Sequence, residues 1–304
     1  MSKNKEPEII TGAVLVTLDL TNFGLTKKIN VGSAIANAHN ASEEFATGGE
    51  TTRSSKHIIA KQLYDHIASF QRETRKIHSD YTGDMKWTKG KDIMSTKIYQ
   101  GGANHQAPYN QVMADRKAKL DHMAHEFAHK TYPLAKTGAK NDLGDLFDPL
   151  DYPSVQEVYE SISMSVQIDP IPKGSDFRCS LDPMTQKELS KAYEERLRNV
   201  QKNSILKLID TLSRRLSHVT DSINTGKVIH NSTLDDLYKY ADTLPAIDFT
   251  DDATLKSLAD RVVNEVTCHG LNDKDSLKDK DVREEIKESA TDITNNLDAY
   301  AETL

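Results

Sequence analysis

The chain has 304 residues, of which 37% are hydrophobic, 6% aromatic and 28% charged, with a formal net charge of −7 at pH 7. That length allows one extended domain or two small ones, and we expect two; few aromatics among many charges suit long helices wetted on one side. The two cysteines, Cys179 and Cys268, lie far apart outside any Cys-x-x-Cys spacing, which argues against a disulfide framework and against a thiolate zinc site.

The charge is uneven, roughly +4 before Lys136 and roughly −11 after it, which together make the −7 of the whole chain. Acids are interleaved with the bases, so no concentrated basic surface is predicted, and direct nucleic-acid binding is not the expected role. Met1 to Glu8 is charged and lacks the apolar stretch of a secretory signal, and no apolar run approaches the roughly 20 residues that cross a bilayer. The expectation is a cytoplasmic protein without a membrane association.

Ala13 to Leu20 is β-branched and apolar, with Val14, Val16, Leu18 and Leu20 on one face, and predicts a strand. Ile58, Ile59, Leu63, Ile67, Phe70 and Ile77 recur at helical spacing and predict a helix from Ser55 to Tyr81, capped by Ser54 or Ser55. Gly83 to Asn104, rich in Gly and Lys and holding the only Trp, Trp87, reads as a loop with an extended piece near Ile98 and Tyr99. A second helix is predicted from Pro108 to Tyr132, forming a hairpin with the first.

Ser154 is placed to cap a short helix through Ser161. Met164, Val166 and Ile168 alternate as a strand, and so do Phe177, Cys179 and Leu181, with Pro170 to Gly174 forcing a turn between them. Asp182 then caps a long amphipathic helix that Gly226 ends. Its stripe runs through Leu189, Tyr193, Leu197, Val200, Ile205, Leu208, Leu212, Leu216, Val219 and Ile223. At about 1.5 Å per residue it would span roughly 65 Å, and so long a stripe wants a partner helix. Further helices are predicted at Leu234 to Asp242, Ala253 to Cys268 and Asp281 to Ala301. The fold class is therefore α+β, mainly α, with long antiparallel helical hairpins and a small antiparallel sheet. The expected domains are residues 1–181 and a helical region over 182–304.

His125-Glu126-Phe127-Ala128-His129 satisfies His-Glu-x-x-His, in which two histidines one turn apart hold zinc and the Glu activates water. On a helix of 100° per residue, Tyr109, Val112, Met113, Leu120, Met123, Ala124, Phe127 and Leu134 cluster on one side, while His122, His125 and His129 fall nearly opposite and face solvent. A peptidase needs them in a shielded cleft with a third ligand, and no downstream acid fits that spacing. The expected reading is a solvated helix face, with no catalytic residue, cofactor or metal assigned; His125, His129 and Glu126 are the zinc ligands and base of the peptidase alternative. Arg214 and Arg215, beside the long stripe, are candidate partner contacts.

Several of these segments, in order, carry a resemblance: Val14-Leu15-Val16-Thr17-Leu18-Asp19-Leu20, the helical hairpin, Leu143-Gly144-Asp145-Leu146-Phe147, Tyr152-Pro153-Ser154, and Pro170-Ile171-Pro172 followed by Asp176-Phe177-Arg178. Together they resemble a bacteriophage family, domain of unknown function 3150, over about residues 11–181. Members are typically encoded near a MoxR-type AAA+ ATPase and a von Willebrand factor A protein. The resemblance implies a phage-encoded, non-enzymatic adaptor or scaffold accessory to that module, acting in the host cytoplasm, and carries over no catalytic residue. A replication or host-takeover factor on nucleic acid is a further alternative, and a homo-oligomer stays open.

Overall fold

Strand β1, Ala13–Leu20, forms where the alternation placed it. It buries Ala13, Leu15 and Val16, so its middle is covered on both faces rather than on the one expected. The computed structural model describes residues 12–28, 55–101, 107–172, 182–227, 229–268, 277 and 279–304. Their contacts divide the chain into two compact units. One comprises Met1–Leu18, Ile77–Met113 and Val166–Leu304; the other comprises Asp19–Lys76 and Ala114–Ser165.

In the first unit the stretch expected to be a loop is ordered into β4 (Lys86–Thr88), β5 (Lys91–Ser95) and a short helix α2 (Thr96–Gln100). Ile98 and Tyr99 are thus helical, not extended. The Gly and Lys content conceals the run Asp92-Ile93-Met94, which is too short to declare a strand alone and becomes one by pairing antiparallel with β1, Ala13 opposite Ser95 and Val16 opposite Asp92. Ser95 then caps α2 by accepting from the Lys97 N–H at 3.2 Å. With β6 (Met164–Pro170), where the alternation placed it, the small antiparallel sheet has the order β4-β5-β1-β6. The strand expected at Phe177 to Leu181 lies outside the described residues.

The long helix α6 runs Pro183–Asn224. Asp182 accepts from the N–H groups of Met184 and Thr185, both at 3.0 Å, and Gly226 at φ +66° closes the far end, where Lys227 donates to the Ser222 carbonyl at 3.0 Å. Both ends agree with the sequence. Its buried positions, however, run only from Ser204 to Val219. There it packs against α9 (Lys280–Thr303), which buries Ile286, Ala290, Ile293 and Leu297, and against α7 (Asn231–Ile247). Arg283, at the start of α9, donates to the Lys227 carbonyl just past the end of α6 at 2.7 Å, so the pair is antiparallel. Helix α8 (Ala253–Arg261) ends in a π turn, Val262–Thr267, and completes the bundle against α7 and α9. Gly83 lies close against it at φ +58°, where a Cβ would come 3.3 Å from Ile247.

In the second unit the helix expected from Ser55 begins at Asp65 instead, as α1 (Asp65–Thr82), whose last residues from Ile77 onward belong to the first unit. Ser55–His57 is strand β3, paired antiparallel with β2 (Thr26–Lys28). Ser55 therefore caps nothing, and Ser54 lies outside the described residues. The reason is the backbone of buried Ile58: its N–H donates to the Leu25 carbonyl at 2.9 Å, and its carbonyl accepts from the Tyr152 hydroxyl at 2.8 Å, so neither group is free for a helix.

The second hairpin helix also runs past its expected end. Helix α3 (Tyr109–Glu126) passes through a π turn, Phe127–Thr131, into α4 (Tyr132–Leu143). An uninterrupted helix would hold Leu134 within about 20° of Phe127 and Tyr132 about 140° away; the extra residue of the π turn rotates the next helical segment by about 100° and exchanges them. Tyr132 is accordingly buried and Leu134, expected on the apolar side, is 75% exposed. The turn ends two residues before Pro133, whose ring would press on the carbonyl one turn back in a regular helix. Phe23 packs edge-on against Tyr132 at 5.6 Å, Tyr64 edge-on against Phe127 at 5.2 Å, and helix α5 (Val155–Ser161), held by the expected Ser154 cap with Glu157 reciprocating, packs on the π turn.

Two leucines of α6 test this division of the helix. Leu212→Ala, fully buried, is expected to cost about 2–5 kcal/mol in chemical denaturation, and Leu189→Ala within about 0.5 kcal/mol.

Candidate functional site

His122, His125 and His129 are all exposed, as the helical phase requires. The His125 and His129 rings stack at 4.2 Å and 20°, Tyr159 stands edge-on to both, and His129 Nδ1 lies 3.1 Å from the His125 carbonyl. Glu126, the would-be base, is taken by Lys130 at 2.8 Å, a contact that holds its carboxyl below the usual range. Among the described residues no three His, Cys, Asp or Glu side chains are placed to hold a metal ion. Among the described residues no third ligand stands beside these two stacked imidazoles, their acid is turned to a lysine, and their open helix face is not the shielded cleft that a catalytic zinc site needs.

Arg214 and Arg215 have a different setting. They lie with Thr211 and His218 on one face of α6, the three- and four-residue spacing of a helix, opposite the first turns of α7 at Thr233, Asp236 and Leu237. Together these line an open cavity of about 380 Å³. Arg214 pairs with Asp210 at 2.8 Å. The Arg215 guanidinium lies over the Tyr240 ring at 4.7 Å. Burial pushes the Tyr240 phenol up to about 12, so it stays neutral beneath the guanidinium. The sequence singles out the two arginines; it does not show the wall that α7 supplies, because Thr233 and Asp236 acquire meaning only when α7 folds back on α6.

A third constellation lies within and beside the stretch Gly83 to Asn104, where a loop is expected. His78 Nε2 is 3.0 Å from Asp92 Oδ2, His78 Nδ1 is 2.8 Å from the Tyr109 hydroxyl, and Lys86 pairs with Asp92 from the neighbouring strand. All but Lys86 are buried. A carboxylate only accepts, so Nε2 donates to Asp92; the Tyr109 phenol, driven upward by burial and by the nearby Asp92 charge, keeps its proton and donates to Nδ1. Tyr81 packs edge-on to Tyr109 at 5.5 Å. The network is enclosed and lies within the first unit, where it fixes β5 to His78 in the last turns of α1. Its one signal in the sequence is a lone acid, Asp92, leading the apolar pair Ile93-Met94.

Fold and site together define a mainly helical α+β protein with a small antiparallel sheet. None of its described helices is long and apolar enough to cross a membrane. No family model, no curated protein and no solved structure matches the chain.

Burial raises the Asp92 carboxyl, but the His78 and Lys86 contacts outweigh it and hold the group below its ordinary value. A depressed carboxylate contributes stability above its unfolded pKa of about 3.9 and loses it as pH falls through the lower folded value. Asp92→Ala should therefore cost about 3 kcal/mol at neutral pH. Denaturation curves of variant and parent should converge as the solution is made more acidic than pH about 3.9.

Proposed function

We propose that this chain is a non-enzymatic adaptor that presents the N-terminal half of α6 to a protein partner. The observation that carries the reading is the division of one 42-residue helix into an anchored half and an open one: no position before Ser204 is buried, although the apolar stripe continues. Met184 is 73% exposed and Leu189 42%, and Tyr193, Leu197 and Val200 are half-buried. Tyr193 and Arg196 hold this half to Trp87, with ring centroids at 5.9 Å and the guanidinium 4.7 Å over the indole. An isolated helix has little stability of its own, and one with an uncovered apolar stripe gains it when a second amphipathic helix covers the stripe.

Lys187, Lys191, Arg196, Arg198 and Lys202 outnumber Glu188, Glu194 and Glu195 along the open half, so the fitting partner is an amphipathic helix with acidic flanks. The resemblance to the phage family supplies the candidates, a MoxR-type AAA+ ATPase and a von Willebrand factor A protein, met in the host cytoplasm. The enclosed Asp92 network and the open histidine face support a role in binding over one in catalysis.

Capture of either protein from infected cells should fall about tenfold in a Met184→Asp, Leu189→Asp double variant whose circular dichroism and Tm match the parent. Recovery of neither protein by the parent chain, or equal recovery by the variant, would overturn the proposal. Stoichiometric zinc in protein purified without a tag, with a peptidase activity lost in Glu126→Gln, would establish the other chemistry. Salt-dependent binding of single-stranded DNA would point to a nucleic-acid factor instead.

A further inference from the structure

The cavity between α6 and α7 has no part in the adaptor reading, and its chemistry is specific. The geometry points to a binding site for a phosphate monoester, held by Arg215 and His218 from α6 and by Thr233 at the start of α7. Arg215 is the anchor. Its guanidinium carbon lies 4.7 Å over the Tyr240 ring, which restrains an otherwise exposed side chain, and among the described residues it forms no ion pair with a carboxylate. A guanidinium restrained over a ring keeps N–H donors for hydrogen bonds to an oxyanion.

Helix α7 contributes from the opposite wall. Thr233 lies in its first turn, near the positive end of the helix dipole; its N–H already donates to the His230 carbonyl at 2.8 Å, so the hydroxyl is what it offers a ligand. The acids nearby narrow the choice without closing the site. Asp210 is committed to Arg214, and Asp236 is exposed on the α7 wall, where it opposes a second negative group beside the first. One strongly charged, multiply accepting group fits this arrangement better than a polyanion. At about 380 Å³ the cavity also holds what carries the phosphate.

The test is isothermal titration of the full chain with inorganic phosphate and with glycerol 3-phosphate at constant ionic strength, with acetate in parallel. Saturable binding at one site is expected for both phosphates. Arg215→Lys keeps the charge but not the fork and should weaken binding about tenfold with the fold intact by circular dichroism, whereas Arg196→Lys, an arginine over an aromatic ring away from the cavity, should not. His218→Ala should weaken it as well. The proposal is overturned if neither phosphate binds saturably, if acetate binds as tightly, or if Arg215→Lys and His218→Ala both bind like the parent.

Discussion

The first unit depends on one antiparallel seam, the packing of Ser204 to Val219 of α6 against α9. Leu208, Leu212, Leu216 and Val219 on one side and Ile286, Ala290, Ile293 and Leu297 on the other recur at the three- and four-residue steps that keep a stripe facing its partner. Each fully buried large aliphatic side chain contributes about 1.5–3 kcal/mol relative to exposure, so this seam outweighs any surface ion pair along the same helices. Both proposed binding surfaces hang on it. It holds α6 firmly enough for the open half to be presented. It also sets the face from which Arg214, Arg215 and His218 meet the start of α7.

The second unit is organised by an aromatic cluster and a π turn. Phe23, Tyr64, Phe127 and Tyr132 need Phe127 and Tyr132 on one side of a continuous helix, which a regular α-helix forbids at five-residue separation and one inserted residue allows. The same turn contains His129. The His-Glu-x-x-His pattern thus falls where the backbone is adjusted for packing, and the histidines are left on the solvent side of that adjustment.

Elements with strong local signals are legible in the residues themselves: β1 from its alternation, α6 from Asp182 to Gly226, the Ser154 cap, and the C-terminal helices, whose observed ends differ from the expected ones by only a few residues. Elements that depend on partners remote in sequence are not. Strand β5 exists because β1 lies beside it, α1 starts late because Leu25 and Tyr152 claim the Ile58 backbone, and Leu134 turns outward because of the π turn. The site divides the same way. Arg214 and Arg215 are visible as a pair beside an apolar stripe, and the outward histidines follow from helical phase, whereas the α7 wall and the Asp92–His78–Tyr109 network require tertiary packing. The long stripe, uniform in sequence, is two surfaces with different fates.

The two halves of α6 differ in burial, and hydrogen exchange along the helix in the free protein reads that difference amide by amide. Amides from Ser204 to Val219 should exchange only through opening of the bundle, while those from Met184 to Val200 should exchange orders of magnitude faster, as a helix open to water does. Uniform slow exchange along the whole of α6 would show the N-terminal half to be covered already, leaving it no surface for a partner.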